Sequence, residues 1–295
     1  MKIWVDTPAL TAENKNLLAT NALSALKYLF MHSHELSFDL SELGDRQKEL
    51  LENEEIRPGK FGRNEAEASI QLQDQLEFIC KNEVIERTEG WTELSRRILF
   101  PSRKAVMRRK TKETAISLEL NLDGKGESKI STGLKFFDHM LEQIARHGLV
   151  DLDIRCKGDL EVDEHHTIED TAITLGQTLR KAISKNKAGI QRYGFVLPMD
   201  EAEATVSIDL SDRPYLNWNV KLKREYVGDL PTEMVEHFFY SLAMNAGATL
   251  HVTASGKNEH HIIESIFKGF AKALRFAVSR NERIRGILPT TKGKI

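Results

Sequence analysis

Two short stretches carry the residues best suited to chemistry, His165-His166-Thr167-Ile168-Glu169 and His260-His261-Ile262-Ile263-Glu264. Each has a further histidine upstream, His139 in Phe137-Asp138-His139-Met140 and His237 in Glu236-His237-Phe238-Phe239. Most of the chain's 10 histidines fall in this interval. On a helix, residues four apart share a face, while adjacent residues diverge by about 100°. His165 with Glu169, and His260 with Glu264, can therefore converge on one cation each, leaving His166 and His261 to serve a second. With His139 and His237 the set is six imidazoles and two carboxylates, enough for two sites of three nitrogens and one oxygen. Imidazole with carboxylate suits manganese, iron or zinc, and the absence of thiolates disfavours structural zinc. Positions left open for substrate and water favour six-coordinate manganese, although the donor types also fit zinc. A lone histidine is more often a satisfied core residue or a helix cap. It is the duplication, with matched upstream histidines, that favours metal.

Other residues suit an anionic substrate. Lys268 lies four residues beyond Glu264 on the same helix face, where it is either an ion-pair partner or an anion ligand. Arg192 in Gln191-Arg192-Tyr193-Gly194 and Arg213 in Ser211-Asp212-Arg213-Pro214 fall at strand ends. Thr290, Thr291 and Lys292 near the C-terminus add hydroxyls and a charge. Arginine forks and hydroxyls suit phosphate, and without the metal site they would be read as ordinary surface groups.

The elements that must position these groups come in two rounds. Ala115–Leu122 alternates as a strand, Asp123-Gly124 signals a hairpin turn, and Glu127–Ser131 returns. A helix over Leu134–His147 ends at Gly148 as its C′ residue. A strand over Val150–Cys156 and a helix over His166–Ile183 close the first round. The second has strands over Glu203–Leu210 and Tyr215–Leu222, a helix over Thr232–Asn245 ended by Gly247, a strand over Thr249–Thr253 and a helix over His261–Val278. Duplicated strand–strand–helix–strand–helix halves, each with a sheet face for helices to cover, imply an α+β fold, a two-layer sheet/helix sandwich.

A basic, proline-led stretch over residues 101–112 separates this region from residues 1–107, which read as a mainly helical appendage. Helices are expected over Leu17–Leu29 and Gln71–Cys80, and a loop over Arg57–Gly62. At 295 residues, 40% hydrophobic and 29% charged, the chain has material for one large or two ordinary globular domains. A net charge of -2 gives no electrostatic case for nucleic acid or an anionic membrane. Cys80 and Cys156 form no disulfide framework, and neither a secretory h-region nor a bilayer-spanning run is present, so a cytoplasmic protein is expected.

The stretches Phe137–Gly148, Asp163–Thr171, Arg192-Tyr193-Gly194 and Glu259-His260-His261 through Lys268 resemble imidazoleglycerol-phosphate dehydratase, over residues 108–295. The resemblance implies a hydro-lyase of histidine biosynthesis with a ribosomal protein S5 domain 2-like fold. Its substrate would be imidazole glycerol phosphate, bound as imidazolate between two manganese ions (Mn2+) per active site, and its product imidazole acetol phosphate. It implies sites formed at subunit contacts in a homo-oligomer of 24 subunits built from trimers. His139, His165, His166, Glu169, His237, His260, His261 and Glu264 would be the metal ligands, with Glu169 and Glu264 also counted as catalytic. Glu113 matches the catalytic glutamate, and Arg192, Arg213, Lys268, Thr290 and Lys292 match phosphate-binding positions. Thr290-Thr291 replaces the usual paired serines, with the hydroxyl kept.

In some bacteria this dehydratase is fused to a haloacid-dehalogenase-type histidinol-phosphate phosphatase. Ile3-Trp4-Val5-Asp6 sits where its nucleophile strand would be, and Gly90–Leu94 through Lys110 resembles the joining segment. The second aspartate of that motif is replaced by Pro8 and the following Gly-Thr by Ala9-Leu10. An aspartyl-phosphate mechanism needs a general acid as well as a nucleophile. The expectation is a decayed remnant or an unrelated appendage without phosphatase activity, rather than a bifunctional enzyme. Two further readings are a binding or regulatory module, carried by the appendage, and a dinuclear metallohydrolase.

Overall fold

The computed structural model describes residues 1–295 apart from 13–16, 185–186, 188, 281, 285–286, 288–289 and 292–295. It divides into two compact units, residues 1–102 and 103–295.

The first unit is organised on a sheet. Strands β1 (Lys2–Val5), β2 (Glu35–Ser37), β3 (Ala68–Leu72), β4 (Leu76–Cys80) and β5 (Glu83–Thr88) lie in the order β2-β1-β3-β4-β5. β1 runs parallel to both neighbours, and β3, β4 and β5 are antiparallel. Helices α1 (Thr7–Leu10), α2 (Ala22–Met31), α3 (Asp45–Asn53) and α4 (Trp91–Leu99) complete it. Its core joins Ile3 and Val5 to Leu26, Leu29, Ile70, Trp91 and Leu94, and the indole N–H of Trp91 donates to the Ala9 carbonyl at 2.8 Å.

A mainly helical reading of this unit is therefore corrected, because five strands frame the helices. The helix expected over Gln71–Cys80 is a hairpin. Ile70, Leu76 and Phe78 are buried in alternation, and Gln73-Asp74-Gln75 between them makes a polar turn. Period-two burial on both sides of a turn prevails over the apolar spacing that suggests a helix. The other expected helix starts later, at Ala22, after a left-handed Asn21 (φ 63°).

The second unit contains the duplication. Its first half holds β6 (Lys104–Lys110), β7 (Thr114–Asn121), β8 (Ser128–Ser131), α5 (Lys135–Gly148), β9 (Asp151–Gly158) and α6 (His165–Ser184). Its second holds β10 (Tyr193–Met199), β11 (Ala202–Asp209), β12 (Tyr215–Val220), the short pair β13 (Tyr226–Val227) and β14 (Leu230–Pro231), α7 (Glu233–Ala246), β15 (Thr249–Ser255) and α8 (Glu259–Ala277). The sheets are ordered β6-β7-β9-β8 and β10-β11-β15-β12, one topology twice. In both, the strand preceding the first helix joins the far side of the strand that follows it, in parallel (β8 with β9, β12 with β15).

Each half is a sheet covered by its two helices, as expected, and the halves then pack helix to helix, α5 on α8 and α6 on α7. The order across the domain is sheet, helices, helices, sheet. One continuous core runs through it from Ala105 to Val278. The close approach of α6 to α7 depends on Gly176, where an added Cβ would lie 2.6 Å from the Leu242 carbonyl oxygen and 2.9 Å from the Ala246 nitrogen.

Three local expectations are corrected. The first strand of each half, β6 and β10, was not expected. Both are edge strands, one rich in arginine and lysine and one containing Pro198, so neither presents the apolar alternation of a central strand. Asp123-Gly124 does not close a hairpin, since β7 pairs with β6 and β9 while β8 pairs with β9. Instead the Asp151 carboxylate gathers this loop by accepting the backbone N–H groups of Lys125, Gly126 and Glu127 at 2.8–3.2 Å. Finally, the left-handed residue ending α5 is Leu149 (φ 51°), with Gly148 still helical, whereas Gly247 (φ 67°) ends α7 as expected.

Candidate metal centre

Both histidine pairs begin a helix for the same local reason. Asp163 Oδ1 accepts the His165 N–H at 2.8 Å, and Asn258 Oδ1 accepts the His260 N–H at 3.0 Å. Asn258 caps α8 in this way, and Asp163 makes the matching contact just before α6, so the histidines occupy the first turn of each helix and the glutamate lies one turn on.

The structure brings the donors together in a crossed way. His139 on α5 meets His260 and Glu264 on α8, and His237 on α7 meets His165 and Glu169 on α6. Within each triad the candidate ligand atoms all lie within 4.8 Å of one another. Each His-His-x-x-Glu thus meets the upstream histidine of the other half, because α5 packs on α8 and α6 on α7. In the first triad His260 Nε2 lies 3.2 Å and His139 Nε2 3.8 Å from Glu264, whose carboxylate is also held by Lys268 Nζ at 2.8 Å. Burial pushes the Glu264 carboxyl up, but the Lys268 hydrogen bond and charge, with His139 and His260, hold it below the usual glutamate range. The Phe136 ring lies edge-on to His260, centroids 4.9 Å apart. In the second triad His237 Nε2 is 3.0 Å and His165 Nε2 3.8 Å from Glu169.

His166 and His261 fall outside these triads. Each is held through Nδ1 by a carboxylate, His166 by Asp159 at 3.1 Å and His261 by Glu201 at 2.9 Å. The hydrogen bond and charge of the partner raise both imidazoles above the ordinary histidine value. Glu113, exposed in the turn before β7, also contributes charge at His166. Arg192 Nε and Arg213 Nη2 both reach Asp209 Oδ2, at 2.7 and 3.5 Å. A surface cavity of about 410 Å³ beside them is lined by Arg192, Gly194, Asp209, Thr249 and His251. Thr290 is half-buried, and Lys292 lies outside the described residues.

Sequence reasoning missed Asp159, Glu201 and Asp209, which hold His166, His261 and the two arginines. Asp200-Glu201 is a two-residue turn between paired strands, a signal legible only once β10 is recognised. The donor set fits a divalent cation that accepts nitrogen and oxygen, and three protein donors leave coordination positions open.

The family model for imidazoleglycerol-phosphate dehydratase matches residues 132–274. The chain is 47% identical, over 88% of its length, to a histidine biosynthesis bifunctional protein of Spirosoma linguale, of which it covers 69%. That alignment spans too much of the chain to exclude the first unit. The chain covers as little as 56% of other bifunctional relatives. It is 53% identical to an imidazoleglycerol-phosphate dehydratase of Acetivibrio thermocellus, covering 99% of that protein and 65% of this chain. A solved dehydratase structure from Staphylococcus aureus superposes with a TM-score of 0.55 at 36% identity, over 60% of this chain and 99% of that one.

Proposed function

The chain belongs to the imidazoleglycerol-phosphate dehydratase family, hydro-lyases of histidine biosynthesis, and we propose that its two triads are the metal-binding halves of the centre that dehydrates imidazole glycerol phosphate to imidazole acetol phosphate. The observation that carries this reading is the convergence of His139, His260 and Glu264, and of His165, Glu169 and His237, from helices that only the folded duplication brings together. We place two manganese ions at each active site. Bound there, manganese supplies Lewis-acid chemistry and a template for the substrate's imidazole ring.

The chain's own residues provide the rest. His166 and His261 have Nδ1 engaged by a carboxylate and lie outside their own chain's triads, which makes Nε2 the ring nitrogen assigned to metal in this reading. Their place in this reading is as ligands to the triads of neighbouring copies. The site is then completed at a subunit contact, in keeping with the 24-subunit homo-oligomer that the resemblance implies. Arg192, Arg213 and Lys268, with Thr290 and Lys292, hold the substrate phosphate through charge-assisted hydrogen bonds. Glu113, exposed on its turn, carries the proton that the substrate carbon beside the ring must give up. Two unpaired cysteines, Cys80 and Cys156, favour a cytoplasmic setting.

Residues 1–107 have no phosphatase role in this reading. Asp6, the candidate nucleophile at the end of β1, accepts the Trp4 indole N–H at 2.9 Å and pairs with Arg63 at 3.3 Å, so its carboxylate is already engaged. Turnover of imidazole glycerol phosphate by manganese-loaded protein, beside turnover of histidinol phosphate, tests both statements. Dehydration without phosphate release from histidinol phosphate is expected. Absence of dehydration with metal loaded would overturn the reading.

A further inference from the structure

Glu113 and Glu201 occupy equivalent places in the two copies of the duplicated half, each being the residue immediately before the second strand, β7 or β11. They are used differently. Glu201 Oε2 accepts from His261 Nδ1 at 2.9 Å, while its Oε1 accepts the backbone N–H groups of Asn258 at 2.7 Å and Lys257 at 3.2 Å, where α8 begins. One carboxylate thus ties an imidazole to the start of the helix that carries it. Its own place is set by a two-residue turn, closed by the pairing of Met199 with Ala202. In the first copy Asp159 takes over the imidazole, its oxygens lying 3.1 and 3.2 Å from His166 Nδ1, and Glu113 stays exposed.

We propose that Glu201 and Asp159 are positioning residues that fix the ring orientation and tautomer of His261 and His166, presenting Nε2 as the ligand atom, and that the recruitment of Asp159 leaves Glu113 free to carry a proton. The inference rests on the metal reading of these histidines. An acceptor on Nδ1 places the imidazole proton there and the lone pair on Nε2, and such outer partners commonly set metal affinity by 10–100-fold.

Two substitutions separate positioning from simple structural support. In Glu201→Gln the amide oxygen can still accept the N–H groups at the start of α8, which turns the amide NH2 toward His261 Nδ1 and drives the ring proton onto Nε2. In Asp159→Ala the acceptor is removed from a carboxylate whose side-chain bonds, among the described residues, all go to His166. Full-length, metal-free proteins are titrated with Mn2+, free ion being read from its six-line electron paramagnetic resonance signal, and their metal-free melting temperatures are compared. Each variant is expected to bind Mn2+ about 10–100-fold more weakly than the parent, with its metal-free melting temperature unchanged at alkaline pH, where the His166 and His261 ion pairs no longer contribute to stability. Binding within twofold of the parent in both would overturn the proposal. Weaker binding only in step with a lowered metal-free melting temperature would also overturn it, reducing both residues to structural support. A parent protein that binds no Mn2+ would instead overturn the metal reading on which the proposal rests.

Discussion

The triad on α5 and α8 and the triad on α6 and α7 have the same residue types at the same helical spacing, yet their carboxylates are held differently. Glu264 is buried, with 8% of its side chain accessible, and is clamped by Lys268; Glu169 is 35% accessible. The residue one turn beyond Glu169 is Ile173, where the other helix has Lys268. A shared scaffold therefore supports two unlike triads, one whose carboxylate is already paired with a lysine and one whose carboxylate is met by histidines alone among the described residues. Duplication supplies the donors, and single substitutions around them decide how each carboxylate is held.

Replacing the carboxylates tests this difference most strongly. Glu169→Gln and Glu264→Gln are each expected to lower kcat/KM for dehydration by more than about a hundredfold, beyond the range typical of an outer partner. Only Glu264→Gln leaves a lysine without its buried partner, so its metal-free melting temperature should fall further than that of Glu169→Gln. Equal melting temperatures would show the clamp to be incidental. Lys268→Met should raise the KM for imidazole glycerol phosphate by about tenfold or more while leaving manganese content unchanged, because a hydrogen bond to a charged group is worth about 1.5–3 kcal/mol. An unchanged KM would confine Lys268 to its ion pair.

The helix seams also differ. Gly176→Ala would press on backbone where α6 crosses α7, and should destabilise the domain by about 1–3 kcal/mol in denaturant melts. On the other seam a Cβ at Gly148 meets nothing closer than the Ala271 carbonyl oxygen at 3.5 Å, so Gly148→Ala should cost far less.

The smallest effect is that of pH. His166 and His261 have raised folded-state values, so their ion pairs stabilise the metal-free protein fully below the unfolded histidine value. That contribution is lost as pH rises through the folded value. Metal at Nε2 requires the neutral imidazole and runs the opposite way, so manganese affinity should increase as pH rises through the folded histidine values. Glu264, with its lowered value, contributes stability that is present above the unfolded carboxyl value and lost as pH falls through the folded one. A manganese affinity independent of pH between 6 and 8 would contradict histidine ligation.

Much of this centre is legible in the residues, because a His-His-x-x-Glu at a helix start fixes which groups share a face before any packing is known. The strands and helices of the duplication are legible too, through their apolar periods. The crossing of the halves is not, since which helix packs on which is a tertiary choice that spacing within one half cannot encode. Edge strands β6 and β10 escape for a related reason, as their charge or proline reflects an unpaired side rather than a loop. Asp159 and Glu201 are individually ordinary acids, and their role depends on the turn and loop that aim them.

Metal content measured alongside turnover tests the central claim most directly. Metal-free full-length protein is loaded with Mn2+, and both bound manganese per chain and dehydration of imidazole glycerol phosphate are followed. The account predicts that dehydration rises with loading and saturates as manganese approaches two per chain. Full dehydration by metal-free protein, or saturation with manganese bound but no dehydration, would contradict it.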